Sequence, residues 1–130
     1  MIRFGKKNDT MKGLRTSIYT TTELDKAKAW YAEVFETKPY FDETFYVGFD
    51  IEGFELGLVP DETPAETKTA NVFTYWGVDD IQASYERLLS LGATENEAPE
   101  DVGDDVLVAT VKDPWGNVLG IIYNPNFKEK

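Results

Sequence analysis

TSIYTTTELDKAKAWYAEVF at residues 16–35 and FTYWGVDDIQASYERLLSLG at residues 73–92 run the same programme 57 positions apart. Each copy opens on β-branched and aromatic residues that suit a strand, read as Leu14–Thr21 in the first and Asn71–Val78 in the second. Acidic residues follow, Glu23 and Asp25 in one copy and Asp79 and Asp80 in the other, where a helix N-terminus favours negative charge. Thr22 is the expected cap of the first helix, and Asp79 or Asp80 that of the second. Ala27, Trp30, Tyr31, Val34 and Phe35 then recur at helical spacing, as do Ile81, Tyr85, Leu88 and Leu89. Pro39 closes the first helical segment and Gly92 the second.

Strands follow each helix. Phe45–Ile51 alternates apolar with small or polar residues, Glu52-Gly53 is a turn, and Phe54–Val59 answers as the second arm of a hairpin. In the second copy an acidic loop precedes Val106–Val111, the turn Asp113-Pro114-Trp115-Gly116-Asn117, and Val118–Tyr123. Strand-helix-strand-strand-strand, written twice, is an internal duplication. Ile18 aligns with Tyr75, Glu23-Leu24 with Asp80-Ile81, and Glu55 with Gly120. The expected fold is α+β: two βαβββ modules form a cupped mixed sheet with helices on its outer face. Residues 1–11 are read as a flexible extension and 12–126 as one domain. Within it, module one is 12–60, a linker rich in Pro, Thr, Asp and Glu is 61–70, and module two is 71–126.

Composition narrows the chemistry. The 130 residues contain no histidine and no cysteine. The commonest neutral-pH proton shuttle is missing, and so are the usual nitrogen and sulfur metal ligands. Cys–His nucleophiles, Ser–His–Asp triads and zinc hydrolase motifs are thereby excluded. A net charge of −11 makes nucleic acid and acidic membranes poor partners. Six acids lie between Glu95 and Asp105, read as a solvated loop that also creates a field attractive to cations. No signal-peptide core or membrane span is apparent, so the cytoplasm is the expected compartment.

Three segments carry a family likeness: Thr22-Glu23-Leu24-Asp25-Lys26-Ala27 leading into Trp30-Tyr31, Gly77-Val78-Asp79-Asp80-Ile81, and the Asp113–Asn117 turn. With the duplicated order they cover about residues 12–124, and together the chain resembles the vicinal oxygen chelate superfamily. That superfamily includes glyoxalase I, extradiol dioxygenases and bleomycin-resistance proteins. The resemblance implies paired modules around a ligand-holding cup, commonly in a homodimer. It also implies metal-ligand positions on the first and last strand of each module, which fall here on Thr16, Glu55, Phe73 and Gly120. Among these, Glu55 alone carries a strong donor, so no metal and no other cofactor is expected.

Strand alternation predicts the lining of the cup. Thr16, Ile18, Tyr46, Asp50, Glu55, Phe73, Tyr75, Gly120 and Ile122 are the candidate ligand-binding residues. Gly48, Gly57 and Gly120 leave room against the sheet. Trp30 and Trp76 are expected in the helix-side core, and Trp115 as a structural plug. Glu55 with Asp50 is a candidate acid–base pair, since carboxylates sharing a low-dielectric cup push their pKa values apart, or else a seat for one cation. Two readings result. The first is a metal-independent small-molecule binding protein that sequesters a cationic or aromatic compound. The second is a metal-independent lyase or isomerase with Glu55 as general base and Tyr46 or Tyr75 polarising the substrate. The balance of residue types favours binding over catalysis, because no strong nucleophile or electrophile is present.

Overall fold

The computed structural model describes residues 12–69 and 72–127. The arm expected at 1–11 and the first residue of the strand expected at 71–78 lie outside the described residues. Module one runs β1 (Thr16–Thr21), α1 (Leu24–Phe35), β2 (Phe41–Glu43), β3 (Tyr46–Ile51) and β4 (Phe54–Pro60). A 3-10 turn at Ala65–Thr67 precedes module two: β5 (Tyr75–Gly77), α2 (Ile81–Ser90), β6 (Thr94–Gly103), β7 (Val106–Lys112) and β8 (Val118–Tyr123). The sheets are ordered β1-β4-β3-β2 and β5-β8-β7-β6, the same topology twice. In each, the first strand lies parallel to the last and the remaining pairs are antiparallel. Among the described residues no helix is long and apolar enough to cross a membrane.

Alternation sorts the side chains as the sequence predicts. Tyr19, Val47, Phe49, Leu56 and Leu58 point to α1, while Ala109, Val111, Leu119 and Ile121 join Ile81, Tyr85 and Leu88 of α2. These residues form one continuous core shared by both modules. Ala27 and Tyr31 are fully buried on α1, flanked by the partly buried Trp30, Val34 and Phe35. Trp30 and Trp76 pack at this core, and Trp115, 7% exposed, meets Trp30 edge to face at 6.1 Å.

The contacts between modules are themselves duplicated. Ser17 Oγ lies 3.1 Å from Thr74 Oγ1, and Trp76 Nε1 donates to Tyr19 Oη at 3.1 Å. Both pairs are 57 residues apart, so equivalent residues of the two modules touch across a pseudo-two-fold axis between β1 and β5. The helix ends obey the same symmetry. Trp30 Nε1 donates to the Leu91 carbonyl at 2.8 Å, and Arg87 donates to the Val34 and Glu33 carbonyls at 3.0 and 2.8 Å. Trp30 and Arg87 stand 57 positions apart, as do Val34 and Leu91. Each helix therefore satisfies carbonyls at the C-terminal end of the other, where intrahelical partners run out.

Several local expectations are corrected. Thr22 does not cap α1: Glu23 is the N-cap residue, and Thr21 Oγ1 accepts from the Glu23 amide at 3.0 Å instead. Asp80 does cap α2, accepting from Ala83 N at 3.1 Å. α1 stops at Phe35, before Pro39, because Glu36 adopts a left-handed conformation with φ 53°. β5 is three residues long, and Phe73 precedes it. The acidic segment is the edge strand β6, which pairs with β7 through several register shifts. An edge strand exposed on both faces needs no apolar alternation, and its charges discourage pairing with another sheet.

Candidate functional site

The concave face is built where β1, β3 and β4 turn small and polar residues away from α1. Glu55 is paired with Thr16 on one side and Asp50 on the other. Its carboxylate accepts from Thr16 Oγ1 through one oxygen and from Tyr40 Oη through the other. Tyr46 turns its hydroxyl toward the same group. Gly48 and Gly57 make this possible. A Cβ at Gly48 would stand 2.8 Å from Glu55 Oε2 and 3.2 Å from the Tyr46 ring, and one at Gly57 would strike Tyr46 Oη and Ile18 Cδ1.

The electrostatics follow from this ring of donors. The Thr16 hydroxyl, and next that of Tyr40, hold the Glu55 carboxyl below the usual carboxylate value; burial opposes them and Tyr46 adds to them. Hydrogen bonds to the charged form explain the direction. Burial and the neighbouring carboxylate together push the Tyr46 phenol up to about 12. Tyr40 is raised chiefly by its bond to Glu55. Glu55 is thus an ionised acceptor among neutral phenols. Asp50 is otherwise engaged: its Oδ1 accepts from Gly53 N at 2.8 Å and closes the β3–β4 turn. The hydrogen bonds of Glu55 come from hydroxyls and that of Asp50 from the turn amide, so no direct bond joins the two carboxyls expected as an acid–base couple.

In module two, Tyr75 pairs with Gly120 as Ile18 pairs with Gly57. Strand register therefore equates Gly120 with Gly57, two residues past Glu55, and corrects the alignment of Glu55 with Gly120. The ring of Tyr75 lies over Gly120, where a Cβ would come within 2.7 Å. Phe73 and Tyr75 meet edge to face at 6.5 Å and are partly exposed, at 43% and 36%. Ile122 lies half-buried on β8. Thr16, Ile18, Tyr46 and Glu55 thus gather into one cluster, Asp50 borders it, and Phe73, Tyr75, Gly120 and Ile122 belong to the second module's wall.

A cavity of about 640 Å³ follows the open edge of β1, between Thr16, Ile18 and Thr20 on one side and Val72, Thr74 and Val118 on the other. Glu55 lies beside it, in a shallower depression of about 220 Å³ with Arg15, Tyr40 and Asp50; Thr16, which bonds Glu55, borders the larger space. Sequence reasoning passed over two participants. Tyr40 sits in the non-periodic stretch after Pro39, where alternation says nothing about direction. Lys68 lies in the presumed linker, yet its ammonium donates to the Thr20 carbonyl at 2.6 Å and to Asn117 Oδ1 at 3.3 Å. The linker is in fact packed down: a Cβ at Gly116 would come within 2.6 Å of the Ala65 carbonyl.

The metal-ligand positions implied by the fold offer Glu55 and the Thr16 hydroxyl that already bonds it. Phe73 and Gly120 supply no side-chain donor, nor does Val118, which strand register makes the counterpart of Glu55, and among the described residues no group of three or more His, Cys, Asp or Glu is gathered to hold an ion. A metal demanding four to six ligands does not fit this donor set.

Residues 14–121 match the family described as Glyoxalase/Bleomycin resistance protein/Dioxygenase superfamily. The uncharacterized protein YurT of Bacillus subtilis (strain 168) is 36% identical over 80 residues, which cover 56% of this chain and 62% of that protein. The chain therefore matches somewhat less than two thirds of that relative's length. Among solved structures, the genomically encoded fosfomycin resistance protein FosX from Listeria monocytogenes superposes with a TM-score of 0.74 at 14% identity, covering 90% of this chain and 97% of that one. A glyoxalase/bleomycin resistance protein/dioxygenase family enzyme from Burkholderia phytofirmans PsJN gives 0.71 at 20% identity, with 86% and 98% covered. A glyoxalase-related enzyme from Fulvimarina pelagi gives 0.70 at 18%, with 88% and 90% covered. At such identities the likeness is one of fold.

Proposed function

The chain belongs to the glyoxalase/bleomycin resistance protein/dioxygenase superfamily, and on that premise we propose that it binds a cationic aromatic small molecule in the cup without a metal and without altering it. The observation that carries this reading is the Glu55 cluster. An ionised carboxylate surrounded by phenols, with the Phe41 ring tilted against that of Tyr46 at 5.9 Å, offers a cation both a counter-charge and aromatic faces. The overall charge of −11 would speed the approach of such a ligand at low salt.

The same cluster argues against Glu55 as general base. A carboxylate whose pKa is pulled down by hydroxyl donors gains little from taking a proton near neutral pH. The reading takes the protein as a cytoplasmic homodimer with no nucleic-acid or membrane partner. The test is a thermal-shift screen with cationic aromatic dyes such as acridine orange, followed by chromatography of the recovered dye. A rise in Tm that Glu55→Gln removes, with the dye unchanged, supports binding. A chemically altered dye, or a rise unaffected by Glu55→Gln, overturns it.

A further inference from the structure

The long cavity ends in a charge opposite to that of Glu55. The β1 residues Thr16, Ser17, Ile18, Tyr19 and Thr20 form one side of it. Thr16 bonds Glu55 at one end, and the Thr20 carbonyl accepts from Lys68 at the other. Four residues of extended strand separate these two points, or roughly 13 Å at ~3.3 Å per residue. Lys68 is partly withdrawn from water, and this burial lowers its pKa despite Asp113 and Asp61 nearby. Among the described residues it takes part in no salt bridge. An ammonium has three donors. Two are used on Thr20 and Asn117, which leaves one for the cavity that Lys68 lines.

We propose that the ligand is an elongated zwitterion, with its basic group at Glu55 and a carboxylate at Lys68, lying along β1 across the seam between the modules. The inference rests on the binding reading above and specifies its ligand class. A carboxylate fits this end better than a phosphate dianion, because Asp61 lines the same stretch of wall and Lys68 has one donor to give. Ile18 of module one and Val118 of module two are apolar parts of the cavity lining.

The probes are 4-(ω-aminoalkyl)benzoates of increasing chain length and the ω-phenylalkylamines that match them but lack the carboxylate. Affinities are measured calorimetrically for the native protein, Lys68→Gln and Glu55→Gln. Glutamine keeps a donor for the Thr20 carbonyl, and amine affinity serves as the check that Lys68→Gln retains its fold. The expected result is that benzoates long enough to span the cavity bind at least about tenfold tighter than their amines, the scale of one charge-assisted hydrogen bond. Lys68→Gln should erase that gain while leaving amine affinity unchanged. Equal affinity at every length, a gain that survives Lys68→Gln, or a Lys68→Gln variant that weakens the amine as much as the benzoate overturns the bipolar ligand. Amine affinity untouched by Glu55→Gln, or no binding by any probe, instead sinks the Glu55 reading on which it stands.

Discussion

Tyr31→Phe isolates the polar strut that joins the modules. Tyr31 is fully buried on α1, and its hydroxyl donates at 2.5 Å to Oδ2 of Asp113, itself 3% exposed, in the turn before β8. Asp113 also accepts from Trp115 N, Asn117 N and Asn117 Nδ2, at 2.8 to 2.9 Å. Phenylalanine preserves the ring and its stacking on Tyr19 and Phe35, so the change removes one hydrogen bond to a charged acceptor with almost no cavity. Such bonds contribute about 1.5–3 kcal/mol. Three donors remain on the carboxylate, so the penalty of an unpaired charge is avoided and about 2 kcal/mol is the expected loss. For a domain of this size that lowers Tm by roughly 8 °C. Urea unfolding followed by tryptophan fluorescence reads the loss directly, with an unchanged m-value if the native fold is kept. A double-mutant cycle with Asp113→Asn should return a coupling above about 1 kcal/mol. A loss under ~0.5 kcal/mol, or additive single variants, would refute the strut.

Gly57→Ala should leave the fold nearly intact, at a cost of about 1 kcal/mol, because its Cβ meets the movable ends of Tyr46 and Ile18; calorimetry should nonetheless show ligand affinity falling several-fold. Gly120→Ala should cost more in chemical denaturation, since its Cβ would come within 2.6 Å of the Thr74 backbone carbonyl. The Tyr46 phenol, raised from 10.0 to about 12, gives a stability contribution complete below pH 10 and lost as pH climbs through about 12. In Glu55→Gln, difference absorbance should show the tyrosinate transition moving toward the ordinary value. Glu55 has the opposite sign: its lowered pKa contributes above the ordinary value of 4.5 and is lost as pH falls below it, so acid unfolding of Glu55→Gln should lack that component.

The duplication was legible because two periods, alternate residues in strands and every third or fourth in helices, recur at a fixed offset. The same 57-residue offset separates Ser17 from Thr74 and Trp30 from Arg87, although the contacts these residues make needed coordinates. Legibility failed where no period operates. β6 is exposed along nearly its whole length, so its acids read as a loop. The alignment of Glu55 with Gly120 was two residues off because alternation fixes the face a strand residue takes and is blind to a shift of two. Glu55, Thr16, Ile18 and Tyr46 were found together because alternation orients strand residues. Tyr40 and Lys68 were missed because they reach the site from irregular segments packed on it.

Calorimetric titration of acridine orange, with a strong chelator present throughout, tests the central claim most directly. The native protein should bind with unchanged affinity in chelator, and Glu55→Gln should bind at least about tenfold more weakly, a difference of roughly 1.4 kcal/mol. Binding that vanishes with chelator, or a Glu55→Gln variant that binds as tightly as the native protein, would contradict the assignment of this cup as a metal-independent cation site.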